Sequence, residues 1–269
     1  MNRTKILWPW NPLHTVNPFV GCSKVSAGCL NCYAEKMACR LAAMDEAKYN
    51  RSGRSMRYVP SDYSDVIGEE GKWNGETVFR SQVLDAVRKA RKPRNIFWCS
   101  MSDLFHENNP MSNIYETLHT IRNTPQHTHI ILTKRPRYMT TFLVNNGYAN
   151  WKAMYNTPNI WLGVTAENQE CANKRIPWLL GIAGEHKTFV SVEPMLGAVS
   201  LKTGHLDQVI IGAESGAGAR PMNPEWAIEL IGQCRDANVP VFVKQFCKNG
   251  RAIPFEQWPK EMQVREVAK

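Results

Sequence analysis

Residues 95–133 read NIFWCSMSDLFHENNPMSNIYETLHTIRNTPQHTHIILT. Asn95–Cys99 is a short apolar run of strand type, Met111–Arg122 is a helix, and His129–Thr133 is a second strand. Short apolar strands joined by helices imply a parallel sheet with helical crossovers. The alternation continues downstream. Tyr138–Asn145 is a helix, Ile160–Val164 a strand, Gln169–Leu180 a helix, Thr188–Val192 and Gln208–Gly212 strands, Pro224–Ala237 a long helix and Val239–Val243 a last strand. Upstream, Ser81–Arg91 is a helix that Pro93 ends, and Val16–Gly21 supplies a first strand. Seven strands result. The fold class is α/β, a full or partial (β/α) TIM-type barrel of about six to seven parallel strands, with a doubly wound sheet as the alternative. Residues 1–269 form a single domain with an irregular excursion at about 48–80, carrying Arg51, Arg54 and Arg57. Trp8-Pro9-Trp10-Asn11-Pro12 is an ordered lead-in rather than a helix.

The chain has 269 residues, enough for one large core, and a formal net charge of +9, which favours polyanionic partners, nucleic acid first. Residues 1–12 lack the long apolar stretch of a signal peptide, and no apolar run is long enough for a membrane span. Of eight cysteines, four fall between positions 22 and 39 and four are scattered at 99, 171, 234 and 247. That distribution suits a reducing cytoplasm, with one functional thiol cluster and four core thiols.

In barrels and open parallel sheets, ligands sit at the C-terminal ends of the strands. Each predicted strand exit is polar. The first leads into the cysteine loop, the second into Ser100-Met101-Ser102-Asp103, the third into Thr133-Lys134-Arg135-Pro136-Arg137. The others give Thr165-Ala166-Glu167-Asn168, Ser191-Val192-Glu193-Pro194, Gly212-Ala213-Glu214-Ser215-Gly216 with Arg220 behind, and Lys244-Gln245. A single polar exit is ordinary loop chemistry; seven on one face make a site.

Cys22, Cys29 and Cys32 are spaced C-x6-C-x2-C on a loop that runs into a helix over Tyr33–Ala47. Three thiolates can hold three irons of a [4Fe–4S] cluster and leave the fourth open, whereas four close the site, as in structural zinc. Cys39 is the candidate fourth ligand, but on a helix starting near Tyr33 it stands about 10 Å along the axis from Cys32. The residues leave three readings open: an open cluster site, zinc, or core thiols.

The stretches NPFVGCSKVSAGCLNCYAEKMACR, SMSDLFHE, LTKRPR, WLGVTAEN, SVEPMLG, GAESGAGARPM and VFVKQF, in this order, closely resemble a phage-associated protein family that is similar to divergent radical S-adenosylmethionine (SAM) enzymes. The resemblance covers nearly the whole chain. It implies a full or partial barrel with a [4Fe–4S] cluster on Cys22, Cys29 and Cys32, SAM on the open iron, and reductive cleavage to a 5′-deoxyadenosyl radical. This chain departs from the common C-x3-C-x2-C spacing, has Asn31 where an aromatic is usual with Tyr33 following, and lacks the Gly-Gly-Glu motif. Ser100, Ser102 and Asp103 occupy that motif's place, with Asp103 expected to hold the SAM amino group. Some phage relatives look like isomerases of thymine hypermodification, acting on an amino acid joined to the thymine methyl carbon. The resemblance therefore implies an isomerase acting on DNA or a modified nucleotide in the host-cell cytoplasm, served by an electron donor such as flavodoxin or ferredoxin. The alternatives are another radical SAM enzyme of nucleic-acid modification or repair, and a non-catalytic zinc-stapled nucleic-acid-binding protein.

Within that scheme Lys134, Glu167, Glu193 and Glu214 are the candidate catalytic residues, and Ser100, Ser102, Asp103, Lys134, Arg135, Thr165 and Glu193 the cofactor-binding ones. Lys134 and Arg135 suit a SAM carboxylate or a substrate phosphate; Glu167, Glu193 and Glu214 suit ribose hydroxyls or a substrate amine. Tyr33 is placed to pack over the cluster, and Lys244 to pair with one of the glutamates. Ser215 and Arg220, amid Gly212, Gly216 and Gly218, suit an anionic group. Arg88, Lys89, Arg91, Lys92 and Arg94 form the densest basic patch, a phosphate contact or a solvated helix face.

Overall fold

Strands take their places in the sheet in the order in which the chain makes them. In this computed structural model, which describes residues 1–51, 62–145, 159–182, 186–201 and 205–268, the first elements are β1 (Asn2–Arg3), β2 (Leu13–Val16), β3 (Phe19–Val20), α1 (Tyr33–Arg51), β4 (Val78–Phe79) and α2 (Gln82–Arg88). There follow β5 (Asn95–Trp98), α3 (Met111–Arg122), β6 (Thr128–Thr133), α4 (Pro136–Asn145), β7 (Ile160–Thr165) and α5 (Gln169–Leu180). Then come β8 (Lys187–Val192), β9 (Gln208–Gly212), α6 (Pro224–Asp236), β10 (Val241–Gln245) and a hairpin of β11 (Cys247–Lys248) and β12 (Arg251–Ala252). Arg54 and Arg57 of the expected excursion lie outside the described residues.

The main sheet has the order β1-β2-β5-β6-β7-β8-β9-β10. Its last seven strands are parallel and curl into a half-barrel, a partial β/α barrel. The order never reverses, so there is no switch point and the doubly wound alternative does not hold. The expectation of parallel strands alone is corrected by β1, which adds an antiparallel strand at the β2 edge (Asn2 opposite Thr15, Arg3 opposite His14).

The first parallel strand also lies earlier than expected: β2 ends at Val16, not Gly21. Pro18 has no N–H for the ladder and restricts Asn17, so the strand stops there. Phe19–Val20 pairs instead with Val78–Phe79, and Gly21, at φ +92°, turns the chain across to Ser102. Residues 62–80 of the excursion thereby pack back onto the cysteine loop and α1, with Tyr63 and Val66 buried against Val20, Ala34, Ala38 and Met101.

The two faces of the half-barrel are filled differently. The convex face packs β-strand Val and Ile side chains (Val164, Val190, Val192, Val209, Ile211) against helix residues such as Leu118, Leu179 and Leu230. The helices start where their caps dictate: Asn168 accepts from Cys171 N–H at 2.9 Å for α5, and Asn223 caps α6 ahead of Pro224. The concave face carries Phe97, Ile130, Trp161, Phe189 and Ile210, and the lead-in fills it as a plug. Trp8 lies 4.6 Å from the Phe97 ring, and Trp10 lies 4.8 Å from Trp161 and 5.2 Å from Phe189, ring centre to ring centre. Gly163 makes room for this layer, since a Cβ there would stand 2.3 Å from the Phe189 ring. The β10 edge is covered by residues 264–266, through Val243 N–H to Val264 O (2.9 Å) and Glu266 N–H to Val241 O (2.8 Å). No helix among the described residues is long and apolar enough to cross a membrane.

Candidate functional site

The cysteine loop, Gly21 to Cys32, lies across the C-terminal edge of the half-barrel and is fastened there by side chains from four strand exits. Ser102 Oγ donates to Gly21 O at 2.6 Å, fixing the loop's start. Arg135, at the β6 exit, donates to Ser23 O at 3.2 Å and Ser23 Oγ at 2.7 Å, and reaches Cys22 Sγ at 3.7 Å. Glu167, at the β7 exit, accepts from Ser26 Oγ and, at 3.2 Å, from Gly28 N–H. A Cβ on Gly28 would come within 2.9 Å of that carboxylate, so the glycine lets the loop close on it. Asn31 donates to Glu214 (3.0 Å) and to Gly218 O (2.8 Å), binding the loop's end to the β9 exit.

Arg135, Glu167 and Glu214 are themselves held by ion pairs. Glu167 is fully buried and bonds Arg175 of α5 at 2.7 Å. Burial disfavours its charge, but Arg175 and Ser26 outweigh this and its carboxyl titrates below the ordinary value. Asp103 Oδ1 accepts from Phe105 N–H (3.0 Å) and Thr133 Oγ1 (2.7 Å); Oδ2 accepts from Lys134 N–H (2.9 Å) and Arg135 (3.4 Å). Arg135 also pairs with Glu107. Burial opposes ionisation of Glu107, yet the guanidinium holds its carboxyl down at about 2. Glu214 accepts from Arg220 through Nε (2.9 Å), Nη2 (2.5 Å) and the backbone N–H (2.8 Å), and against burial it too is held at about 2. The Cys22 thiol is pushed up to about 12 by burial and by the Asp103 charge.

Beneath the loop, strand alternation turns Thr165 and Ser191 toward the concave side, in line with Trp161 and Phe189, and Glu193 follows them. Glu193 pairs with Lys244 at 2.8 Å, as expected, and accepts from Trp8 Nε1–H (3.1 Å) and Ser191 Oγ (3.3 Å). The aromatic plug is thus the floor of the site. Thr165 Oγ1 is buried and has no hydrogen-bond partner among the described residues. Lys134, the residue after β6, is half-buried and its ammonium has no ion-pair partner among them.

Other expected residues are placed otherwise. Ser100 Oγ donates to Asn17 Oδ1 at 3.0 Å, and Tyr33 is 57% exposed with its hydroxyl on Ser100 O at 2.7 Å. Arg220 is engaged by Glu214 rather than held ready for an anion. The basic run 88–94 precedes β5 and so lies at the N-terminal edge of the sheet, opposite the cysteine loop, where Arg88 bonds Asp85, Glu116 and Thr120. Arg175, Ser26, Asn31, Glu107 and Trp8 were not anticipated. Only the eight-residue step from Glu167 to Arg175, which returns along α5 to the strand exit, could have flagged one of them.

Ser23, His106 and Glu107 resemble a hydrolytic triad in composition but not in proton placement. His106 Nδ1 accepts from Asn108 N–H at 3.1 Å, so Nε2 carries the hydrogen and donates to Ser23 Oγ at 2.9 Å. A histidine that donates to the serine cannot take its proton.

Cys22, Cys29 and Cys32 are free and half-buried. One zinc ion, at about 2.3 Å from each sulfur, gathers its thiolates to about 4 Å of one another. Among the described residues no three Cys, His, Asp or Glu side chains are gathered to hold one ion. A [4Fe–4S] cluster takes each thiolate on a separate iron and needs a wider set. Three thiols are the donor type that such a cluster takes, one on each of three irons. Cys39 Sγ lies 3.0 Å from where a Cβ of Gly71 would stand, packed against that turn.

No curated protein and no solved structure matches the chain. A family model described as "Protein of unknown function (DUF5131)" matches residues 3–266, nearly the whole length. The chain that builds this thiol-bearing half-barrel therefore belongs to the DUF5131 family.

Proposed function

We propose that the protein is a radical SAM enzyme that carries a [4Fe–4S] cluster on Cys22, Cys29 and Cys32 and rearranges a modified base, an amino-acid-modified thymine of phage DNA. The observation that carries this is a free three-thiol loop pinned by Glu167 and Arg135 over the C-terminal mouth of a parallel half-barrel. That edge is where such sheets bind ligands, and three thiolates are the donor set of a cluster with one open iron. Cys22, Cys29 and Cys32 would hold the cluster, which would supply one-electron reduction of SAM with a donor such as flavodoxin or ferredoxin as the electron source.

The chain's own residues have separable tasks. Arg135 and Glu167 orient the thiol loop from opposite sides. Lys134 Nζ and Thr165 Oγ1 offer N–H and O–H donors to a carboxylate on the concave side, the group by which SAM would be fixed. Asp103 has both oxygens occupied, so it braces Arg135 and the β6 exit. Glu193, held by Lys244 and Trp8, is an acceptor for hydroxyls or amines of the bound molecules, and Glu214, engaged by Arg220 and Asn31, braces the β9 exit.

Protein reconstituted without oxygen should hold about four irons and four sulfides per chain, and SAM should change the electron paramagnetic resonance signal of its reduced cluster. Lys134→Ala should keep the iron and weaken SAM about 10- to 150-fold, the worth of one charge-assisted hydrogen bond. Stoichiometric zinc without sulfide, or no response to SAM in the wild type, overturns the assignment. Incubation with modified-thymine DNA then separates isomerisation from other reactions on nucleic acid.

A further inference from the structure

The turn Lys248-Asn249-Gly250-Arg251 closes the β11–β12 hairpin with both central residues left-handed, Asn249 at φ 52° and Gly250 at φ 73°. This is the two-residue turn whose twist suits a hairpin. Lys248 and Arg251 are directly paired across it, so their side chains leave the same face. Both are exposed, and neither has an ion-pair or hydrogen-bond partner among the described residues. Like charges set directly opposite each other destabilise a strand pair. A hairpin with two-residue strands has few ladder bonds with which to offset that cost.

The tip is nevertheless fixed. Gly250 O accepts from Gly216 N–H at 2.9 Å, and a Cβ on Gly250 would stand 2.3 Å from Gly216 O. Gly216 belongs to the β9 exit loop, which Lys36 bonds at Ala217 O (3.2 Å) and Asn31 bonds at Gly218 O (2.8 Å). Two unneutralised cations are thus held at a set place beside the thiol loop. Nearby positive groups are already committed, Arg220 to Glu214 and Lys244 to Glu193.

We propose that the Lys248–Arg251 tip is a phosphodiester clamp, which grips the backbone of a nucleic-acid strand at the mouth of the half-barrel. This deepens the proposed function and rests on its nucleic-acid substrate. The guanidinium presents a planar fork to the two unesterified oxygens of a phosphodiester, and the ammonium adds a point charge beside them. An oxyanion between them converts the mutual repulsion into shared attraction. Asn249 and Gly250, the central residues of the turn, have no apolar side chain to enter a lipid layer, which separates the tip from a membrane anchor. The basic run at 88–94 lies on the far edge of the sheet and cannot serve the same strand contact.

Anisotropy titrations of the full-length protein, reconstituted and apo, with a short labelled single strand and a duplex test the clamp. The Lys248→Ala/Arg251→Ala double variant should bind on the order of tenfold or more weakly at 0.1 M salt, and its slope of log K against log salt should fall by about 2. Gly250→Ala keeps both charges but collides with Gly216, and should weaken binding by unseating the tip. Wild-type affinity and slope in both variants overturns the proposal, as does wild-type protein that prefers anionic vesicles or an acidic peptide to nucleic acid. Iron content and the SAM response are read in parallel. A tip-dependent loss of nucleic-acid binding in a protein without iron leaves the clamp standing and removes the cluster, and the converse result removes the clamp alone.

Discussion

His129 shows how far a buried side chain can be read from its neighbours. Trp98 Nε1–H donates to its Nδ1 at 3.1 Å, and an indole can only donate, so the imidazole hydrogen sits on Nε2 and faces Thr124 O at 3.0 Å. Burial lowers its pKa from 6.5 to about 4, and a proton on Nδ1 would confront the indole N–H. The unfolded chain takes up this proton first as pH falls, so the contribution is fully present above pH 6.5 and is lost on the way down to about pH 4. About 3 kcal/mol of unfolding free energy should disappear across that window. Urea titrations at successive pH values should show a shallower loss in His129→Gln than in wild type; parallel curves would refute the assignment. Glu107 and Glu214, held at about 2, begin to cost stability as pH falls through their unfolded value of 4.5, so the His129 contribution is read between about pH 6.5 and 4.5. Glu167 is the second residue with a measurable task. Glu167→Ala strands Arg175 as a buried unpaired charge and should cost about 3–5 kcal/mol. Glu167→Gln, which still accepts from Ser26 and Gly28, should lose less stability and retain more iron than the alanine variant on reconstitution.

At the scale of elements, the thiol loop and α1 divide the cysteines into two kinds. Cys22→Ala, Cys29→Ala and Cys32→Ala should each abolish iron and sulfide retention, whereas Cys39→Ala, altering only the packing on the turn at Gly71, should retain both. Equal loss of iron in Cys39→Ala would restore a four-thiol site. Strands β5 to β9 were legible in the sequence because each is a short apolar run buried on both faces, and their exits announced the polar rim. Strand β2 was displaced because an apolar run through Asn17-Pro18 looks continuous while the proline breaks its ladder. The pairing of Glu193 with Lys244 could be anticipated from two opposite charges at strand exits. The clasp of Glu167 on Ser26 and Gly28 could not, since it joins residues 141 and 139 positions apart through a loop with no periodicity. For the same reason the four-donor environment of Asp103 was hidden: it depends on how the β6 exit folds over, not on residue type.

Across the whole molecule, the barrel is left unclosed and its concave side is filled from outside the sheet. Trp10, 7% exposed and wedged between Trp161 and Phe189, should lose about 3–5 kcal/mol on replacement by alanine, read as a lower urea midpoint. A change under 1 kcal/mol would mean that the plug is not part of the cooperative core. The lead-in was legible only as ordered; nothing in the composition of Trp8-Pro9-Trp10 says that it enters the concave face, because the wall it meets comes from five distant strands. An unclosed barrel also has two raw borders, and here each is overlaid antiparallel: residues 2–3 lie along β2 and residues 264–266 along β10. Bare strand borders invite pairing with a second molecule. These short overlays therefore act as stoppers against polymerisation, and stripping residues 264–269 should turn a dispersed solution into one that forms oligomers through β10.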